Sequence, residues 1–322
     1  MNIPRNEILA LGAGLAGAAV LALLPLVTEG FWLSIGVNIM LYAVMCTAWA
    51  LFSGPTHLVS LASAAFFGVG TYAVAIFIDV LPFPVLILIA IAAGTVLALL
   101  VGLATLRLSG VYFVIFTLGL AELIGQIVTW VQTNFGGAIG LYVFTDFTET
   151  HLYWMLLALT VVVFITGWLV NRSRLGLALR IIGNDEAVAR HVGVNTARAR
   201  IILFAISGSF IAVAGAIMAP RYSYITPDAA FNPMTSFMVV IMPMLGGTRR
   251  LWGPLVGVVP FTLIMDFISS NFPNQTAVIV GIAFLAIVYV LPDGVTGWLE
   301  TMFHRRRSTE NGPLAKTAEE VK

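Results

Sequence analysis

One polar stretch divides this chain, residues 172–200, RSRLGLALRIIGNDEAVARHVGVNTARAR. On both sides of it the sequence breaks into runs of about 20 mainly apolar residues, the length at which a helix crosses the hydrocarbon of a bilayer. That alternation constrains the fold more than any motif. Lipid offers no hydrogen bonds, so each run must satisfy its own backbone groups, and an unpaired apolar run does so as a helix. The composition agrees: 60% of the 322 residues are hydrophobic and 10% charged, against roughly 45–50% and about 25% in soluble domains. The expected fold class is therefore all-α, a polytopic membrane helical bundle.

Ten runs serve as candidate spans: 8–27, 33–52, 58–78, 83–106, 111–132, 151–170, 201–220, 235–248, 253–271 and 275–292. The first exceeds the roughly 7–15 apolar residues of a signal-peptide core, and it reads as an uncleaved span. Run 58–78 is rich in Gly, Ala and Ser. Run 235–248 is short and carries Pro243, which predicts a broken or re-entrant piece buried in protein. One membrane domain is expected over 1–304, followed by a polar cytoplasmic tail at 305–322.

Lys and Arg gather on the cytoplasmic side of membrane proteins. Threading ten spans from an inside N-terminus places Arg5, Arg107, the six arginines of 172–200, Arg249, Arg250, Arg305, Arg306, Arg307, Lys316 and Lys322 on one side, fifteen of the sixteen Lys and Arg. Arg221 alone falls on the other side, with Glu29, Asp79, Asp146, Glu149 and Asp228. Both termini are expected to be cytoplasmic. Small residues recur as Ser207, Gly208, Ala212, Gly215 and Ala219, and as Ser60, Ala64, Gly68 and Tyr72. Such spacing permits close backbone approach between helices.

The central stretch predicts a short surface helix over 185–192. Asn184 is suited to the N-cap, and Asp185 and Glu186 then fall in a first turn that favours negative charge. Arg190 and His191 fall in the last turn, where positive charge is favourable. Gly193 takes the position of a left-handed C′ residue, and Thr196 is expected to cap the next helix. Ala187, Val188, Val192 and Val194 supply a small apolar face. A short rigid helix held at the membrane surface acts as a lever when a partner grips it. The plain alternative is a basic loop that only fixes topology.

Glu122 lies near the middle of run 111–132, where a charge costs about 2.5–3.5 kcal/mol on insertion scales. It must face protein or water, and Gln126 shares its face one turn on. This pair is a candidate for a translocation path or an inter-subunit contact, with plain structural hydrogen bonding as the alternative. Gly136, Gly137 and Gly140, in the external stretch 132–151, expose N–H groups and tolerate unusual backbone angles, as a gate or a docking loop requires. Asp266 is read as snorkelling to the interface, and His57 as an inner-surface residue.

The central stretch resembles the cytoplasmic coupling motif of bacterial ABC-importer permeases. The nearest resemblance is to the branched-chain amino acid permease family, in its LivM-like subunits. The residues that carry it are Ser173-Arg174-Leu175-Gly176, Asn184-Asp185-Glu186-Ala187, Gly193-Val194-Asn195, Phe204-Ala205-Ile206-Ser207 and Ala214-Gly215-Ala216. Further blocks follow in the family's order: Gly54 to Tyr72; Leu106 to Tyr112 with Thr117-Leu118 and Glu122; Asn134 to Leu141; Leu245-Gly246-Gly247 through Trp252-Gly253-Pro254-Leu255 and Gly257; and Leu291-Pro292-Asp293-Gly294. Ala62 and His57 depart from the family pattern, which usually has Gly and Gln there.

The resemblance implies a permease subunit of the bacterial inner membrane working with a second, homologous permease, two cytoplasmic ABC ATPases and a periplasmic or lipid-anchored substrate-binding protein. Asn184, Asp185, Glu186, Ala187, Arg190, Gly193 and Val194 would then contact the ATPase. Branched-chain amino acids are the implied cargo, with urea and short amides carried by relatives. The chain has no HExxH, GxSxG or phosphate-binding GxxxxGK[ST] pattern, so no catalytic residue, metal or cofactor is expected on it, and ATP is expected to be used by partner chains. One cysteine excludes an internal disulfide, and a net charge of +1 gives no reason to expect nucleic acid. The competing reading is a stand-alone secondary transporter or channel for a small solute. It accounts for the apolar runs and Glu122, and leaves the central stretch unexplained.

Overall fold

The computed structural model describes residues 14, 17–105, 110–136, 140–184, 186–191, 193–248 and 251–290. The expected polar tail 305–322, Gly137 and Asp185 lie outside them. Helix dominates. α1 (Leu24–Val27) ends an apolar helical stretch, Gly17–Val27. α2 (Phe31–Thr56), α3 (Ser63–Phe77), α4 (Phe83–Thr105) and α5 (Val111–Val131) follow, and a wider π-type turn, Gln132–Gly136, continues α5. α6 (Glu149–Arg172), α7 (Arg174–Asn184), α8 (Glu186–His191) and α9 (Thr196–Met218) bracket the polar centre. α10 (Pro227–Ala230), α11 (Pro233–Gly246), α12 (Gly253–Asn271) and α13 (Thr276–Val290) complete the series. The only sheet among the described residues is a two-residue ribbon. β1 (Leu141–Tyr142) runs antiparallel to β2 (Tyr224–Ile225), with Leu141 opposite Ile225.

Among the described residues, seven helical stretches are long and apolar enough to cross a membrane, and three apolar helices are shorter: Gly17–Val27, Ser63–Phe77 and Pro273–Ala286. The chain is thus an all-α, multi-pass membrane bundle. Two of the ten expected segments differ from their reading. Segment 58–78 starts as helix only at Ser63, because the chain leaves α2 through His57 in a left-handed conformation (φ 54°) and runs irregularly to Ala62. Segment 235–248, read as a broken or re-entrant piece, is a short helix, α11, that runs through Pro243 to Gly246, and the interruption falls before it, at Phe231 and Asn232. There Asn232 accepts the Met234 N–H at 2.9 Å and Pro233 occupies the first helical position, which needs no N–H donor.

α2 and α9 form the centre of the bundle. Glycine explains why α9 fits there. A Cβ at Gly70 of α3 would run into the Ala212 carbonyl of α9, and one at Gly215 of α9 would run into the Phe67 carbonyl of α3. These backbones touch, and only glycine permits it. The row Ser60, Ala64, Gly68, Tyr72 meets something else. Gly68 faces the ring of Phe231, which also lies 5.6 Å from the Tyr72 ring. Phe52, Phe66, Phe113 and Phe204 interlock and join α2, α3, α5 and α9.

Contacts at the two ends of the bundle group the loops as the charge pattern grouped them. At one end Arg221 pairs with Glu149 at 3.3 Å and β1 pairs with β2. At the other end Gly54 faces the Thr248 carbonyl and Gly183 faces the Pro55 carbonyl and the His57 ring.

Candidate coupling elbow and translocation face

α6 ends in a sharp reversal. Ser173 leaves the helix in an extended conformation, donates its N–H to the Leu169 carbonyl at 3.0 Å and its hydroxyl to the Val170 carbonyl at 2.8 Å. The same hydroxyl accepts the Gly176 N–H at 3.4 Å. A Cβ at Gly176 would collide with the Val170 carbonyl. The Ser-Arg-Leu-Gly run is therefore a hinge chemistry: serine closes one helix and opens the next, and glycine lets α7 fold back under α6.

α7 then runs to Asn184 and α8 from Glu186 to His191. The buried Ile182, Ala189 and Ala199 form a small core with Leu175, Ile181 and Val194 against it. This core fastens the elbow to the start of α9. Gly193 has φ 82°, the left-handed C′ conformation, and the Val194 N–H bonds to the Ala189 carbonyl at 3.0 Å. Val188 and His191 face outward. Two expected caps are corrected. Asn184 ends the longer helix α7, since Leu175, Leu179 and Ile182 carry an apolar face through a segment read as loop. Asn195, not Thr196, caps α9, accepting the Arg198 N–H at 2.9 Å. Glu186, Ala187 and Arg190 lie on α8, and Asp185 lies outside the described residues.

α5 carries two opposed faces. Phe113, Thr117, Ala121 and Gly125 are buried, every fourth residue, facing the bundle. Gly119, Glu122 and Gln126 are exposed on the other side, among Ile115, Leu123 and Trp130. Among the described residues the Glu122 side chain has no hydrogen-bond partner. The polar row continues to Thr133 at the helix end, whose hydroxyl bonds back to the Thr129 carbonyl at 2.8 Å. Gly136 closes the π-type turn, and Gly140 leads into β1, where any side chain would strike the Tyr224 ring. Asp266 is half-buried on α12, and His57 is exposed at the C-terminal end of α2.

Three features escaped the sequence reading. The first is the irregular segment 57–62, buried from Leu58 onward except for a half-buried Val59. Non-helical backbone inside a membrane bundle must be satisfied by protein, and three helices supply the partners. Trp49 Nε1 donates to the Ser60 carbonyl at 2.8 Å, Thr117 Oγ1 accepts the Leu61 N–H at 3.1 Å, and Ser236 Oγ accepts the Ala64 N–H at 2.8 Å. The Gly-Pro pair at 54–55 was its signal. The second is Arg221. Its guanidinium donates to Asn38 Oδ1 at 2.7 Å and to Ser34 Oγ, and it pairs with Glu149, tying α2 to α6. Its lone position in the charge tally was the signal. The third is Gln132, buried and accepting the Tyr72 hydroxyl at 3.2 Å, with no signal in the sequence.

A family profile described as branched-chain amino acid transport system / permease component matches residues 31–291. The chain belongs to this permease family. The high-affinity branched-chain amino acid transport system permease protein LivH of Escherichia coli K12 is 28% identical over 174 residues, 54% of this chain and 53% of LivH. The ribose import permease protein RbsC of E. coli K12 is 28% identical over 115 residues, 34% of this chain and 35% of RbsC. RbsC of Haemophilus influenzae is 24% identical over 141 residues, 42% of this chain and 44% of that protein. The matched part thus spans about half the length of LivH or less in each relative. Membership holds at the level of the family, with LivM and LivH types not separated by these matches.

Proposed function

We propose that the chain is one of two permease subunits of a binding-protein-dependent ABC importer in a bacterial inner membrane, with branched-chain amino acids as cargo. A substrate-binding protein delivers cargo at the end that carries β1 and β2. Two ATPases grip the α7–α8 elbow at the opposite, basic end. The exposed face of α5 meets the second permease and lines the route, with Glu122 and Gln126 in contact with water or cargo. Gly136 and Gly140 stand at its outer mouth.

The observation that carries this reading is the elbow: two short helices with a private core, rooted in the first turns of α9, on the side that collects the basic residues. ATP drives the cycle only if it binds the closed and open ATPase arrangements with different affinity, and α8 is positioned to carry that difference into α9. The whole chain, co-expressed with its genomic partners and reconstituted in proteoliposomes, is expected to take up radiolabelled leucine or valine in an ATP-dependent way, stoichiometric with bound ATPase chains. Uptake by the lone chain driven by an ion gradient, without ATP, would establish the stand-alone transporter instead.

A further inference from the structure

We infer that the root of the elbow, where α6 passes into α7, is a binding site for an anionic phospholipid. A cavity of about 330 Å³ opens there, lined by Asn171, Arg172, Ser173, Arg174 and Leu177. None of these is acidic. The Arg172 guanidinium lies 4.5 Å above the centre of the Trp168 ring, a cation–π contact that holds the charge at the rim. The Ser173 hydroxyl and N–H already occupy the last carbonyls of α6, so those acceptors are withdrawn from the cavity. The positive end of the α7 dipole adds to the two guanidiniums. The pocket therefore suits a phosphate.

What sits beside the pocket selects a lipid over a free anion. Val162, Ile165 and Leu169 are 48%, 42% and 54% exposed, and with Arg172 they lie at spacings of three and four on one face of α6. From Val162 to Arg172 that face runs about 15 Å, half of the roughly 30 Å hydrocarbon thickness. It is one leaflet deep. Leu177, 63% exposed, bounds the pocket on the α7 side. A headgroup site thus lies at the end of an exposed apolar helix face of acyl-chain length, which neither a soluble phosphate nor an acidic protein surface needs. The site depends on the bundle being in a membrane and is independent of the importer reading.

The test uses the full chain in neutral nanodiscs or micelles, with bound lipid counted by native mass spectrometry. Phosphatidylglycerol is expected to bind in preference to phosphatidylcholine of the same chain length. The double variant Arg172→Gln/Arg174→Gln is expected to lose that preference by about fivefold per arginine removed. Arg172→Lys/Arg174→Lys, which keeps the charge, is expected to retain most of it. Equal binding of the two lipids, or an unchanged preference in the glutamine variant, overturns the proposal. So does competition by millimolar inorganic phosphate that matches phosphatidylglycerol, which would make the site one for a free anion. Loss of ATPase co-purification in the glutamine variant with lipid preference intact would reassign the cavity to the ATPase.

Discussion

α9 and α5 are both apolar and both long enough to span, yet most of one and little of the other is buried inside the chain. Their glycines show why. Gly208 and Gly215 of α9 face Phe66 and the Phe67 backbone, whereas Gly119 of α5 has nothing within 4 Å. The same small residue marks completed contacts in α9 and, at Gly119, an open place on the exposed side of α5, whose Gly125 on the buried side does meet Phe231. Hydropathy locates both spans and does not separate them. A mid-span carboxylate on the unfilled side does, because lipid is a poor neighbour for it.

Substituting the two sets of glycines gives the largest expected contrast. Gly215→Leu drives a side chain into the backbone of α3 and is expected to destabilise the chain by about 3 kcal/mol, read as a lost or strongly lowered melting transition in detergent. Gly119→Leu is expected to leave that transition in place and to weaken assembly with the second permease on size exclusion. Similar melting losses in both variants would erase the distinction between the helices.

Next in size is the carboxylate itself. Glu122→Leu is expected to lower ATP-driven uptake by roughly tenfold, the value of one charge-assisted contact of about 1.5 kcal/mol, with melting of the isolated chain unchanged. Wild-type uptake with Glu122→Leu would remove α5 from the route. At the elbow, Gly193→Val forces a branched residue to φ 82°, a strain of about 1–2 kcal/mol. The expected result is ATP hydrolysis that continues while uptake falls, measured as a rise in ATP consumed per substrate moved. An unaltered ratio would deny α8 its mechanical part.

The smallest effect is expected at Arg221. Its pairing with Glu149 is partly solvent-exposed, at 20% and 37% for the two side chains, so the ion pair itself contributes little. Arg221→Gln is expected to cost about 1 kcal/mol, mostly through the lost bonds to Asn38 and Ser34. A melting temperature lowered by about 1–2 °C in detergent checks it.

Much of this architecture was legible because lipid imposes simple rules. The helical class follows from backbone satisfaction, and the helix before Gly193 from charge at its two ends. α7 was legible in principle, through Leu175, Leu179 and Ile182 at helical spacing, but Arg174 and Arg180 made it resemble a loop. Of the segment 57–62 only the break was legible, from the Gly54-Pro55 pair, and its path was not. Hydropathy reports side chains, and the change there is in the backbone, at a left-handed His57 that no periodicity signals. The partners of that segment, Trp49, Thr117 and Ser236, come from helices far apart in sequence, so no local pattern could join them. The outward position of Glu122 also needed the fold, because the sequence places it at mid-span without saying which side of α5 faces the bundle.

Cys46 is the single cysteine and is fully buried, so Cys46→Ala offers a background in which Gln126→Cys is the sole thiol. In the assembled transporter, with its second permease and ATPases, a water-soluble maleimide is expected to label that thiol, and ATP is expected to change the labelling rate. Labelling only by lipid-soluble reagents, indifferent to assembly and to ATP, would place the α5 face against lipid and contradict the account.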